Sequence, residues 1–159
     1  MQVNFLWIGK TKNSAIKSLV SDYLERIRRL VPCKVFEARD ISKRSSFSGS
    51  ALIEAEGLEI SRHIPPGGKL VALDETGSQF ASRDFARWLE SEQNRGGRAI
   101  TFVIGGPEGL SRSVSDRSDL MLSLGTMTWT HEMCRVLLLE QIYRALCILR
   151  NIPYHKGGD

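Results

Sequence analysis

Three short segments of the sequence place small, polar and acidic residues directly after apolar stretches. They are residues 73–77, 104–109 and 123–128. In an open α/β sheet, ligands bind outside the carboxyl ends of the strands, so we expect these segments to form a site together. Glycine at such positions lets the backbone approach a ligand closely or adopt a positive φ. A glycine turn taken alone is also compatible with a purely structural role.

The motifs argue against several common sites. Residues 104–109, IGGPEG, match neither the GxGxxG fingerprint nor the GxxxxGK[ST] loop, which disfavours a dinucleotide or ATP site. Residues 123–128 instead offer small side chains and backbone groups ahead of a helix, which suit the edge of a purine. The sequence contains no HExxH motif and no paired Cys/His spacing, so we expect no metal site. It also contains no GxSxG elbow.

The chain has three histidines, His63, His131 and His155. His63 lies near a predicted helix end, where we expect it to be solvated. His131 begins the last predicted helix, where the helix dipole disfavours a charged imidazole, and we expect a structural role for it. His155 follows Tyr154 in a tail that is either frayed surface or an arm that contacts the substrate.

Strand and helix patterns alternate along the chain, which predicts one α/β domain over residues 1–159 with a mostly parallel sheet. We predict a turn at 75–78, strands at 3–8, 33–38, 69–74, 99–104 and 120–124, and helices at 14–30, 51–63, 82–93, from about 111, and at 131–150. The predicted N-caps include Asn13 or Ser14 for the first helix and Ser82 for the third. The near-continuous apolar run at 99–104 is typical of a central strand in a parallel sheet.

The last predicted helix, 131–150, is apolar around most of its circumference. Such a helix must be covered on more than one side. Because the chain has only 159 residues, we expect a second copy of it to provide part of that cover.

Composition restricts the class of protein. The chain is 42% apolar and 25% charged, which is ordinary for a soluble globular protein. No apolar run approaches the roughly 18 residues of a membrane-spanning helix. Residues 1–8 predict a strand rather than a secretion signal. The three cysteines are odd in number and lack CxxC spacing, so we expect reduced thiols in the cytoplasm.

Positive charge is concentrated in residues 10–44, which contain ten Lys or Arg against four Asp or Glu. The net charge of the whole chain is +4. This distribution is typical of a protein that meets a polyanion, but a solvated basic helix face has the same pattern. Charge alone therefore leaves both interpretations open.

Five ordered motifs resemble those of the RlmH family, small bacterial methyltransferases of the SPOUT class. The motifs are IGGPEGL at 104–110, LSLGTMT at 122–128, HEMCRV at 131–136, EQIYRA at 140–145 and PYHK at 153–156. The likeness covers essentially the whole chain. It implies an α/β knot fold with a C-terminal trefoil knot, a homodimer, and S-adenosylmethionine as methyl donor without a metal. The implied donor-binding residues are Leu73, Gly105, Leu124, Gly125, Thr126, Met127, Thr128 and Trp129.

The resemblance also implies the reaction, which is N3-methylation of a pseudouridine in large-subunit (23S) ribosomal RNA within assembled ribosomes, with no membrane or DNA partner. The candidate catalytic residues are His155, Tyr154 and Arg135. His155 is the candidate base or orienter because imidazole titrates near neutral pH. Tyr154 would stack on the base or hydrogen-bond it. Arg135 would stabilise charge on the deprotonated base, hold a phosphate, or form an intersubunit salt bridge.

The sequence departs from the family pattern at two positions. Gly125 stands where we expect a serine, which preserves a backbone contact but removes a hydroxyl contact. Lys156 stands where some relatives have arginine, which keeps the charge but loses bidentate geometry. Two other functions remain open, namely a non-catalytic ribosome-binding or assembly protein and a SPOUT methyltransferase that acts on transfer RNA.

The basic segment makes a measurable prediction. Its candidate contacts to rRNA phosphates are Lys10, Lys12, Arg28, Arg29, Lys43 and Arg44. If about six phosphates are neutralised, log affinity falls with log salt concentration at a slope of roughly −4 to −5. Binding of rRNA measured over a series of salt concentrations gives this slope. A slope of about −1 would show that the segment is only solvated.

Overall fold

The computed structural model describes residues 1–42, 46–96 and 98–154. Strands and helices alternate along these residues, as the sequence predicts. In chain order they are β1 (Gln2–Ile8), α1 (Ser14–Arg28), β2 (Cys33–Ala38), α2 (Gly49–His63), β3 (Lys69–Ser78), α3 (Ser82–Asn94), β4 (Ala99–Ile104), α4 (Arg112–Ser115), β5 (Leu120–Leu122) and α5 (His131–Leu149).

The strands form a sheet in the order β2-β1-β4-β3-β5, and their pairings are all parallel. β4 lies in the centre, and its residues from Ile100 to Ile104 are buried. Helices α1, α3 and α5 pack on one face of the sheet through the larger apolar core. Helices α2 and α4 cover the other face through a smaller one. The predicted α/β architecture with a mostly parallel sheet is therefore confirmed.

The ends of two long helices are set by side-chain caps. Asn13 Oδ1 accepts a hydrogen bond from the backbone N–H of Ile16 at 3.1 Å, so Asn13 is the N-cap of α1. Thr130 Oγ1 accepts from the backbone N–H of Met133 at 3.3 Å and caps α5. The prediction that Ser82 caps α3 is wrong. The N-cap is Ala81, one residue earlier, because the carbonyl of Ala81 already accepts from the Phe85 N–H at 2.9 Å.

The predicted turn at 75–78 belongs to β3, which continues to Ser78. The pairing of β3 with β5 is irregular there, since Leu73 and Ser78 both lie opposite Leu122. The Asp74 carboxylate accepts from the backbone N–H of Thr76 at 2.8 Å, which bends the chain locally as the turn pattern indicates. The strand then rejoins the sheet. A Cβ on Gly77 would lie 2.7 Å from the Met121 backbone, so only glycine fits this approach.

Helix α5 has no exposed residue, and it packs mainly against α1 and α3. Leu138, Leu139 and Ile142 are completely buried. Part of its apolar circumference is only half-buried in one copy, including Met133 and Leu137. The cover by a second copy stays a prediction. The trefoil knot and the single domain over residues 1–159 also stay predictions, because strand order does not itself establish how the chain is threaded or divided.

In the described part of the chain, the helices are all too short or too polar to span a bilayer.

Candidate functional site

A cavity of about 800 Å³ lies at the carboxyl ends of β3, β4 and β5. Its walls come from residues 73–76, 104–110, 122, 124–125 and 127–130, together with His131 and Cys134 at the start of α5. The parallel sheet thus brings together the three segments that the sequence singled out. The volume is in the range of pockets that hold a small-molecule ligand or cofactor.

The structure places most of the predicted donor-binding residues in the cavity wall. Those that line it are Leu73, Gly105, Leu124, Gly125, Met127, Thr128 and Trp129. Thr126 is not among the lining residues, although both of its neighbours are. The side chains of Met127 and Trp129 are 74% and 43% exposed, so they form the rim of the cavity rather than its floor.

The floor of the cavity is backbone that tolerates no side chain. The loop after β4 turns back on itself, and the Gly109 N–H donates to the carbonyl of Gly106 at 3.0 Å. A Cβ on Gly105 would lie 2.5 Å from the carbonyl oxygen of Gly109. This close approach of two backbone segments requires glycine at position 105.

The segment between β5 and α5 is held by two hydroxyl groups. Ser123 Oγ donates to the carbonyl of Gly125 at 2.8 Å and lies 3.2 Å from the Gly125 N–H, which donates to it. Thr128 Oγ1 donates to Glu75 Oε2 at 2.7 Å and fastens the segment to β3. Gly125 has a φ of 137°, which glycine adopts without strain. The conformation therefore explains why glycine suits a position where we expected serine.

The charge of the cavity wall suits a cationic ligand. Asp74, Glu75 and Glu108 are acidic lining residues, and the described wall contains no Lys or Arg. Burial, reinforced by the charge of Arg135, lowers the pKa of His131, so its imidazole is neutral at pH 7. In the described ranges, no group of three or more His, Cys, Asp or Glu is arranged to hold a metal ion.

The first turn of α5 is anchored to the segment that follows β1. Arg135 is 1% exposed, and its guanidinium donates to the carbonyl of Ile8 at 2.6 Å and to Thr11 Oγ1 at 2.9 Å. Its guanidinium carbon also lies 5.1 Å from the centroid of the Trp7 ring. Arg135 does not line the cavity but supports the helix end that does. Its predicted part in catalysis stays a prediction.

Tyr154 lies away from the cavity, on the surface formed by α1 and α5. Its hydroxyl donates to Glu140 Oε1 at 3.1 Å and lies 3.3 Å from the hydroxyl of Tyr23. Its ring packs edge-on against Tyr143, with the ring centroids 4.8 Å apart. Burial, followed by the hydrogen bond with Tyr23, raises the pKa of Tyr154, so the phenol is neutral at pH 7. The residues that lie outside the described ranges include His155, Lys156, Lys43 and Arg44.

The structure adds residues that sequence reasoning did not assign to the site. Cys134 lines the cavity one turn into α5, and His131 lines it although we expected a purely structural role. The apolar pattern of α5 does not reveal that His131 and Cys134 line a pocket. Whether a residue at a helix end lines a pocket depends on how other elements pack around it. A third residue, Glu56 on α2, lies beneath the glycine loop. Nothing in the polarity of α2 distinguishes it from the other glutamates of that helix.

The fold and the cavity together define a class of α/β proteins that bind a small molecule at the strand ends of a parallel sheet. The family described as "Predicted SPOUT methyltransferase" matches residues 1–155. Its members are enzymes that transfer a methyl group.

Three relatives identify the branch of the family. The chain is 41% identical over 155 residues to a protein of Pelobacter propionicus, covering 98% of this chain and 99% of the relative. It is 38% identical over 160 residues to one of Allorhizobium ampelinum, covering 99% and 100%. It is 37% identical over 155 residues to one of Geobacter sp., covering 98% and 99%. All three are named "Ribosomal RNA large subunit methyltransferase H". The chain therefore belongs to this family of SPOUT methyltransferases, and the resemblance seen in its motifs is confirmed.

The backbone at Gly125 leads to a prediction with a matched control. We expect Gly125→Ala to weaken binding of S-adenosylmethionine by roughly tenfold, because the new side chain disfavours the positive φ by about 1–2 kcal/mol. Gly96 also has a positive φ, of 77°, and a Cβ there also meets open space. Because Gly96 lies beyond the opposite end of β4, Gly96→Ala should lower the unfolding free energy without changing donor affinity. Calorimetric titration of both variants checks this, and equal affinities would contradict it.

Proposed function

We propose that this protein transfers the methyl group of S-adenosylmethionine to N3 of a pseudouridine in large-subunit (23S) ribosomal RNA. It would act in the cytoplasm on assembled ribosomes. The observation that carries the proposal is the backbone-floored cavity at the strand ends of a SPOUT methyltransferase, with relatives named for the large-subunit ribosomal RNA.

The residues of the cavity fit this donor. S-adenosylmethionine supplies an electrophilic methyl carbon on a positively charged sulfur. The carboxylates of Asp74, Glu75 and Glu108 complement that charge, and the wall contains no cation among the described residues to oppose it. Leu73, Gly105 and residues 124–129 would hold the donor, largely through backbone groups and apolar side chains.

The protein's remaining tasks are to orient the target base and to accept its N3 proton. Bringing the two reactants together in line supplies several kcal/mol of the barrier. In this proposal, His155 accepts the N3 proton, and the neighbouring Tyr154 stacks on the target base or hydrogen-bonds it. Arg135 supports this site indirectly, because its hydrogen bonds to Ile8 and Thr11 fix the start of α5.

The protein would act as a homodimer in which the tail of one copy completes the cavity of the other. Within one copy, Tyr154 hydrogen-bonds Glu140, whereas the cavity reaches α5 at His131 and Cys134. Glu140 lies six residues beyond Cys134, or about 9 Å along the axis. A second copy that covers the half-buried side of α5 would place its own tail near the cavity of the first copy.

The basic segment after β1 would supply contacts to rRNA phosphates. Lys12 forms an ion pair with Asp40 at 3.3 Å, and Arg29 forms one with Glu25. Exposed pairs of this kind contribute little to stability. Both side chains can therefore exchange their carboxylate partner for a phosphate at small cost.

The proposed function is tested by methyl transfer to ribosomes from cells that lack this protein. With labelled S-adenosylmethionine, we expect incorporation into large-subunit rRNA at a pseudouridine. Free transfer RNA serves as the comparison substrate. Incorporation into transfer RNA but not ribosomes would contradict the choice of substrate. Absence of both incorporation and donor binding would favour a non-catalytic ribosome-binding protein.

The shared site is tested by combining two inactive variants in one dimer. Gly105→Ala disrupts the loop that forms the donor cavity, and His155→Ala removes the proposed base but leaves the donor-binding residues unchanged. If the tail acts across the dimer, isolated mixed dimers contain one intact site of two and recover about half of the wild-type turnover. Each parent variant alone, as the control, should stay inactive, with donor binding retained only by His155→Ala. Mixed dimers that remain inactive would show that each tail serves its own cavity.

A further inference from the structure

Glu56 is a buried acid directly beneath the donor cavity. It is on the sheet-facing side of α2 and is 1% exposed. Both of its carboxyl oxygens are buried without a hydrogen-bond partner in the described part of the chain. A Cβ on Gly106 would lie 2.4 Å from Glu56 Oε2 and 2.9 Å from Oε1. The carboxyl group therefore packs against the backbone of the loop that forms the cavity floor.

The surroundings of Glu56 disfavour a negative charge on it. Burial raises its pKa, and the carboxylates of Asp40 after β2 and Glu108 after β4 raise it further. Asp40 itself remains ionised, because hydrogen bonds from Ser42 and from Lys12 lower its pKa. An ionised carboxylate without a partner in such a place costs free energy, and this cost favours the neutral acid.

Within the described ranges, no positive charge is found to act on Glu56 from the other elements packed against α2. Helix α4 approaches it through hydroxyl groups, since a Cβ on Gly57 would lie 2.0 Å from Ser111 Oγ and 3.3 Å from Ser113 Oγ. Strand β1 packs there through Leu6 and Ile8, which belong to the same apolar cluster as Ile60 of α2. A neutral carboxyl group differs from a carboxylate in having an O–H to donate, and the backbone of Gly106 lies against it.

We propose that Glu56, as a neutral acid, is a positioning residue of the donor site that holds the backbone of the Gly106 loop in its binding conformation. This inference rests on the proposed binding of S-adenosylmethionine. Gly106 leaves room for the carboxyl group, and the carboxyl group supports the loop from the side opposite the ligand. When Glu56 ionises, its carboxylate must be hydrated, and the Gly106 loop above it moves to admit water.

The direction of the pH effect follows from this arrangement. A carboxyl group whose pKa is raised in the folded protein stabilises the fold at low pH, and this contribution is lost as the pH rises through that pKa. Donor affinity should fall in the same direction, by at most about tenfold for each pH unit beyond the pKa. Glu56→Gln removes the titration while keeping the shape and a donor group.

The experiment compares donor affinity by calorimetry between about pH 5 and pH 9 for the wild type, Glu56→Gln and a control. The control is Glu92→Gln, since Glu92 is also buried, at 5% exposure, but pairs with Arg95 on α3. The amino group of S-adenosylmethionine titrates in the same range, so the profiles are compared with one another. We expect wild type and Glu92→Gln to lose affinity together as the pH rises, and Glu56→Gln to lose clearly less. Glu56→Ala should bind several-fold more weakly at every pH.

Two results would overturn the inference alone, with donor binding by the wild type intact. One is a Glu56→Gln profile parallel to that of the wild type. The other is loss of binding by a Glu56→Gln protein whose thermal unfolding is unchanged, since that would require the ionised form. A wild type that binds no donor at any pH would overturn the proposed function, and this inference with it.

Discussion

The common direction of the strands is the constraint on which the site depends. Because the pairings are all parallel, the chain leaves β3, β4 and β5 at the same edge of the sheet. Parallel strands require a crossover between them, and the helices of these crossovers bury both faces of the sheet. The edge at the carboxyl ends is then the place where backbone groups stay free of the core. The cavity forms there, and α5 closes it from the side.

The site is built more from backbone than from charged side chains. Gly105 lies where no Cβ fits, and Gly125 takes a φ that other residues avoid. The hydroxyl groups of Ser123 and Thr128 hold the loops in place through hydrogen bonds. Such a site recognises the shape and the hydrogen-bonding edges of its ligand. The acidic residues of its wall favour a ligand with positive charge. Pre-organisation of this kind limits the conformational entropy that is lost on binding.

Local patterns predicted the features that depend on local physics. The apolar run 99–104 is the central strand, and Asn13 caps the first helix. Both were predictable because strand burial and helix capping depend on residues that are close together in sequence. The segments of the cavity were predicted for the same reason. The return of β3 to the sheet after Asp74 depends on a close approach to Met121 and was not predicted. The positions of Arg135 and Tyr154 likewise depend on partners that are distant in sequence.

The contact between Glu56 and Gly106 also constrains how the protein can change over generations. A side chain at position 106 would overlap the carboxyl group, and a shorter residue at position 56 would leave the loop unsupported. We therefore expect the effect of a substitution at either position to depend on the residue at the other. Glu56 and Gly106 lie on different elements, and only Gly106 belongs to a glycine-rich motif. We nevertheless expect natural selection to act on the two positions together. In related sequences, their identities should vary together.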